Sequence, residues 1–402
     1  MTLKNHWLLP DGVVDVLFDR AQKQESLRDA LLFILTAHGY RLVAPPLIEY
    51  TDTLYRHADD ELKRQTFKLI DQLNGRTMGL RADITPQVIR IDAQRGVGIS
   101  RYCYIGQVVK TLPAGLFGLR TPMQLGAEIF GIESLGDKVS AELSLIDLLV
   151  ALFDEIGMSR ALLHVDVGHV AIFDRLCALH GIDKDNAQTL MALYNKKALP
   201  ELHEFCQNLT GGADFLVLAK HTLNTHKAPS ADNILNKLSS TAQADNVIQN
   251  ACHEIATLVH HIQAVGMTAS VDTTELSGYH YHTGLVFHVY LNDTDTVHTQ
   301  VLVRGGRFWA IGEREATGFS MDINRLLDFV QLESDTVIWV DFDDIQKSSL
   351  DELVDLTNQI KTLQDEGCVV IKPLSLDDKP ACVDGVLYRD NGQWAVRLVG
   401  DG

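Results

Sequence analysis

The chain has 402 residues, 46% hydrophobic and 22% charged, with a formal net charge of −18. That length predicts two or three domains rather than one core, and the longest apolar runs fall far short of the roughly 20 residues of a membrane span. An acidic surplus of this size argues against non-specific gripping of a phosphate backbone, where affinity comes from Lys and Arg displacing counterions. The N-terminus has no signal-peptide pattern. Six scattered cysteines (Cys103, Cys177, Cys206, Cys252, Cys368 and Cys382) form no CxxC pair, which fits reduced thiols in a cytoplasm.

In chain order, "QESLRDALLFILTAHGYRLVAPPLIEY" reads as a helix handing over to an extended stretch. Leu27, Leu31, Ile34 and His38 recur at helical spacing, Gly39 sits at the C-cap, and two prolines follow. "TFKLIDQLNGRTMGLRAD" reads as a hairpin turning at Asn74-Gly75. "TPQVIRIDAQ" is a short helix with Pro86 early in it. "RYCYIGQVVK" and "MQLGAEIFGI" are strands around the loop "TLPAGLFGLRTP", and "DKVSAELSLIDLLVALFDEIG" is a helix. From 173 to 265 short helical patterns dominate, predicting a mainly helical insertion between two parts, 1–172 and 266–332, of one core domain. Strands return at "TASVDTTEL" and in a hairpin turning at "LNDTDT", and "GFSMDINRLLDFV" reads as a strand-to-helix step. Residues 333–402 carry a separate small α/β pattern.

The run "LSGYHYHTGLVFHVY", Leu276 to Tyr290, concentrates ring side chains. His280 and His282 have the H-x-H spacing that puts two imidazoles on one strand face. A metal would need His288, His298 or a distant acid as well. With no compact cluster, satisfied sheet histidines are the better reading, and no metal is expected. The His260–His261 pair lies on a helical pattern and reads as surface. No nucleophile elbow and no phosphate loop is present, and Gly305-Gly306 taken alone reads as a tight turn.

The order of these fragments carries more than any one of them. "LLPDGVVDVL", "GYRLVAPPLIEY", "LRADITPQVIR", "YIGQVVK…RTPMQLGAEIFG", "SGYHYHTGLVF" and "RGGRF…GFSMDINRLL" resemble, in sequence, successive motifs of the histidyl-tRNA synthetase catalytic domain from Leu8 to Val330. The resemblance implies an α+β fold: a class II aminoacyl-tRNA synthetase-like antiparallel sheet flanked by helices, with the helical insertion and the small C-terminal α/β domain.

Departures from the family bear on function. Amino-acid activation needs cations fixed around the α-phosphate. Lys110 replaces the motif 2 arginine and loses its bidentate fork. Ser277 replaces a second arginine, and the charged motif 2 loop has become Thr111-Leu112-Pro113-Ala114-Gly115. Pro122 stands where an aromatic stacks on adenine. Motif 3 keeps Arg325, so Lys110, Ser277 and Arg325 mark a vestigial ATP site with no catalytic residue and no cofactor. The amino-acid pocket survives better. Asp83 stands for a glutamate, Thr85, Gln124, Glu128 and Tyr281 match the family, and His282 replaces a second tyrosine; together they would hold a histidine-like ligand. Beyond Asp335, 13 acidic and 6 basic side chains suit no tRNA-binding tail.

Such a chain resembles the regulatory-subunit family of ATP phosphoribosyltransferase, which works in the first step of histidine biosynthesis. The resemblance implies a non-enzymatic partner of the short-form catalytic subunit. It would act as a homodimer within a hetero-oligomer, a hetero-octamer, raise activity and take part in feedback inhibition by histidine. It implies no tRNA and no membrane partner. The alternatives are a working synthetase and a synthetase paralogue with another regulatory or tRNA-linked role.

Overall fold

The computed structural model describes residues 8–56, 60–113, 118–223, 234–274, 276, 281–292, 300–330, 336–380 and 382–399. The chain forms two compact units, 1–330 and 331–402.

The first unit is built on an eight-stranded sheet. Its strands are β1 (Arg41–Leu42), β5 (Ser100–Gln107), β6 (Met123–Phe130), β7 (Leu163–His169), β8 (Thr268–Val271), β9 (His282–Leu291), β10 (Gln300–Trp309) and β11 (Glu315–Asp322), in the order β1-β5-β6-β11-β10-β9-β7-β8. The pairs β1–β5 and β7–β8 at the two edges are parallel, and all pairings between them are antiparallel. A small sheet of β2 (Ile48–Tyr50), β4 (Thr77–Leu80) and β3 (Phe67–Ile70) lies alongside in sequence; β3 and β4 form the hairpin expected around Asn74-Gly75.

Strand alternation divides the large sheet into two unlike faces. One carries the main core. Leu31 and Leu35 of the Phe18–Ala37 helix, Leu145, Leu149 and Phe153 of the Val139–Glu155 helix, Phe173 of the Val170–His180 helix and Ile255 of the Asn246–Ala264 helix bury there with Val165 and Phe287. The helices between 184 and 223 extend this same core through Leu190, Leu202 and Phe215. On the opposite face the Thr85–Arg95 helix packs its Val88 and Ile89 against Tyr104, Phe130 and Phe308. The candidate site lies on this face, beside that helix.

Two local expectations are corrected. After β11 the chain makes a single 3-10 turn, Ile323–Arg325, instead of the helix read from "DINRLLDFV"; Asp322 caps that turn by accepting from the Asn324 amide at 3.1 Å. Gly305-Gly306 is no turn but the middle of β10, paired to β9 and β11 on either side. The turn at "LNDTDT" falls largely outside the described residues.

The second unit is a four-stranded sheet, β13 (Val369–Ile371), β12 (Val337–Val340), β14 (Gly385–Asp390) and β15 (Gln393–Leu398), in that order. The Leu350–Asp365 helix connects the parallel pair β12–β13 and begins with a capping box of Ser349 and Glu352. Leu356 and Leu363 of that helix bury with Ile338, Val340 and Leu387.

Candidate functional site

The pocket face is arranged in rows across the strands. Tyr104 of β5 is paired with Gly126 of β6, and Glu128 of β6 with Gly318 of β11, which in turn pairs with Gly306 of β10. The glycines make room for the larger side chains. A Cβ on Gly318 would lie 1.6 Å from Glu128 Oε2, and one on Gly126 would lie 2.2 Å from the Tyr104 hydroxyl.

Glu128 is buried, 2% exposed, and forms no ion pair with a cation among the described residues. Its Oε1 accepts from the Thr85 hydroxyl at 3.0 Å and from the Tyr104 hydroxyl at 3.3 Å, and those two hydroxyls are 3.0 Å apart. Burial pushes the carboxyl up to about 8; the Thr85 bond opposes the rise, and the charge of Asp83 adds to it. Oε2 leans over Gly318.

Asp83 and Gln124 bind one another. Gln124 Nε2 donates to Asp83 Oδ1 at 2.8 Å, Gln124 Oε1 accepts from the Ile84 amide at 3.0 Å, and the Thr85 amide donates to Asp83 Oδ1 at 3.1 Å. This clamp fixes the turn that delivers Thr85 at the start of its helix. Tyr281 stacks on Phe308 with ring centroids 4.7 Å apart and meets His282 edge-on at 5.3 Å. Its buried hydroxyl has no hydrogen-bond partner among the described residues, and burial together with the charges of Glu128 and Asp83 raises its pKa well above the usual phenol value. His282 lies over Gly306. The fold thus gathers Asp83, Thr85, Gln124, Glu128, Tyr281 and His282 on one sheet face. Sequence reasoning missed Tyr104, although its place one alternation from Tyr102 and Gly106 in "RYCYIGQ" was a readable signal.

The far end of this face is different. Arg325 donates from Nη1 to the Val301 carbonyl at 2.6 Å, with Nε 3.8 Å from Asp322 Oδ2. Burial raises the pKa of Asp322, while its bond from the Asn324 amide and the charges of Arg325 and Lys110 pull it back. Both surviving cations therefore act on a carboxylate of the chain itself. Asp322 was not singled out from the sequence. Ser277, and Ala114 and Gly115 of the motif 2 loop, lie outside the described residues, as do His280 and His298. Among the described residues no group of three or more His, Cys, Asp or Glu side chains is placed to hold a metal ion. Nor does any described helix reach the length and apolarity of a membrane span.

Comparison with known proteins bears on the family and the fold. Residues 12–326 match the family model for histidyl-tRNA synthetase. The ATP phosphoribosyltransferase regulatory subunit of Psychrobacter cryohalolentis is 48% identical over 402 residues, covering 98% of this chain and 100% of its own. A crystal structure described as an ATP phosphoribosyltransferase regulatory subunit/histidyl-tRNA synthetase from Bacillus halodurans superposes with a TM-score of 0.73 at 22% identity, covering 92% of this chain and 95% of that one. The ATP phosphoribosyl transferase (HisG:HisZ) complex from Thermotoga maritima contains a chain matched with a TM-score of 0.55 at 16% identity, covering 76% of this chain and 97% of that one. The chain belongs to the family of ATP phosphoribosyltransferase regulatory subunits, built on the histidyl-tRNA synthetase fold.

Proposed function

We propose that this chain is the non-catalytic subunit that activates a short-form ATP phosphoribosyltransferase in the cytoplasm and carries a histidine-binding pocket used in feedback inhibition. One observation supports the reading: Asp83, Thr85, Gln124, Glu128, Tyr281 and His282 share one end of a sheet face, whereas the charges of Lys110 and Arg325 act on Asp322 at the other. A triphosphate approaching Lys110 and Arg325 would meet a carboxylate already among them, and its repulsion opposes the charge build-up that adenylation needs stabilised.

The imidazole of histidine would meet Glu128 Oε2 and the Tyr281 hydroxyl, and its amino group the free Oδ2 of Asp83. If bound histidine weakens docking of the active catalytic subunit, that docking weakens histidine binding by the same factor. A homodimer through the Phe18–Ala37 helix and the strands after it is supported by the apolar groups left exposed there: Phe33 at 68%, Leu42 at 47% and Ile48 at 44%.

The test is phosphoribosyl-ATP synthesis by a short-form catalytic subunit with this chain titrated in, with and without histidine. A saturable rise in rate at a fixed ratio, reduced by histidine, is expected. An unchanged rate with no complex on a sizing column would send the chain back to the tRNA-linked alternative, to be examined by gel shift at stated salt.

A further inference from the structure

Arg304 serves no visible purpose in the fold. It stands on β10 two residues from Gly306 and opposite Ser320 of β11 and His288 of β9, so strand alternation puts it on the sheet face of Glu128. The residue is exposed, and no hydrogen bond or ion pair joins its guanidinium to another described residue. The two carboxylates nearest along that face are matched elsewhere. Asp322 is acted on by Arg325 and Lys110, and Asp166 by His164 and His288.

We propose that Arg304 holds the α-carboxylate of the amino acid in this pocket, an inference that rests on the histidine reading above. Strands spaced roughly 4.8 Å apart and rising roughly 3.3 Å per residue put the Arg304 Cα roughly 12 Å from that of Glu128. With the two side chains extended toward one another, that span would hold one molecule of amino-acid size. The two ends have opposite character, with Glu128 and Asp83 for a ring nitrogen and an ammonium, and Arg304 for a carboxylate. A guanidinium fork matches a carboxylate in two parallel hydrogen bonds, which a lysine at the same place cannot reproduce.

Calorimetric titration with histidine and with histamine, which lacks the carboxylate, tests the assignment on the full chain, its Arg304→Gln variant and its Arg304→Lys variant. The unaltered chain should prefer histidine by about 10- to 100-fold, the worth of a charge-assisted pair. Arg304→Gln should lower histidine affinity to the histamine level and leave histamine unchanged, with Arg304→Lys between. A histidine-to-histamine ratio unmoved by Arg304→Gln overturns the role of Arg304 while leaving the pocket standing. Binding of neither ligand by the unaltered chain overturns the pocket and this assignment together. A thermal midpoint equal to that of the unaltered chain guards against misfolding, as expected for an exposed side chain.

Discussion

Two glutamates are buried on the two sides of one sheet, and their surroundings differ in kind. Glu142, on the core side, is 0% exposed and receives both oxygens' worth of Arg307: Nε donates to Oε1 and Nη2 to Oε2, each at 2.9 Å. The remaining nitrogen of Arg307 lies 3.0 Å from Glu254, which is also 3.3 Å from His169. Glu128, on the pocket side, is also buried but among the described residues receives two neutral hydroxyls, both on one oxygen. A buried charge matched atom for atom holds elements together; one held by neutral donors alone is poised to change state when a ligand arrives.

The largest effect should come from breaking the matched side. Arg307 is 4% exposed, and although burial disfavours its charge, the bonds to Glu142 raise its pKa above the ordinary arginine value. Arg307→Ala leaves Glu142 buried and uncompensated, so the chain should lose about 3–5 kcal/mol in denaturant unfolding. Replacing both partners, Arg307→Leu with Glu142→Leu, should recover much of that. A single variant losing under about 1 kcal/mol would mean that water reaches Glu142 and that the two faces are not so different.

On the pocket side the same kind of substitution should act in the opposite direction. Glu128 has a pKa raised from 4.5 to about 8, so between those values the unfolded chain gives up its proton while the folded chain keeps it. Stability contributed at this position therefore falls as pH rises from about 4.5 to 8, and is level outside that window. Glu128→Gln should be neutral at pH 4 and stabilising by a few kcal/mol at pH 8, read from unfolding midpoints across pH. A stability difference that does not grow with pH would show Glu128 to be ionised and solvated, hence no different from a surface carboxylate. Histidine affinity of the unaltered chain should follow the same proton. If one proton is shared between ligand ring and Glu128, affinity is level between about 6.5 and 8 and drops roughly tenfold per pH unit on either side. Calorimetry in buffers of different ionisation enthalpy would expose the proton released below that range and taken up above it.

The contrast was only partly legible in the sequence. Period-two alternation and the order of motifs place Gln124 and Glu128 on one strand, and the resemblance supplies Asp83, Thr85 and Tyr281 from elements remote in the chain. What alternation alone does not give is the neighbour across the sheet. Tyr104 joins Glu128 because β5 pairs β6 in a register that sets Tyr104 beside Gly126, and Arg307 finds Glu142 at a separation of 165 residues. The turn expected at Gly305-Gly306 failed for the same reason: the glycines answer to packing across strands, which no local pattern reports. Asp322 was readable as an acid beside Arg325, but its burial, which sets it against Lys110 as well, was not.

The smallest effect sharpens the comparison most. Tyr281 stacks on Phe308, and Tyr281→Phe keeps the ring while removing a buried hydroxyl that has no partner among the described residues. On the matched side of the sheet, deleting a bonded polar group should always cost stability. Here, with no ligand present, the chain should be unchanged or gain up to about 1 kcal/mol, because an unsatisfied buried donor carries a desolvation penalty. With histidine present the sign should reverse, affinity dropping about 2- to 10-fold as the ring loses one hydrogen bond. Thermal unfolding with and without saturating histidine measures both halves. Lower stability without ligand, together with unaltered affinity, would mean that the hydroxyl already serves the fold and that the pocket side is as fully paired as the core side.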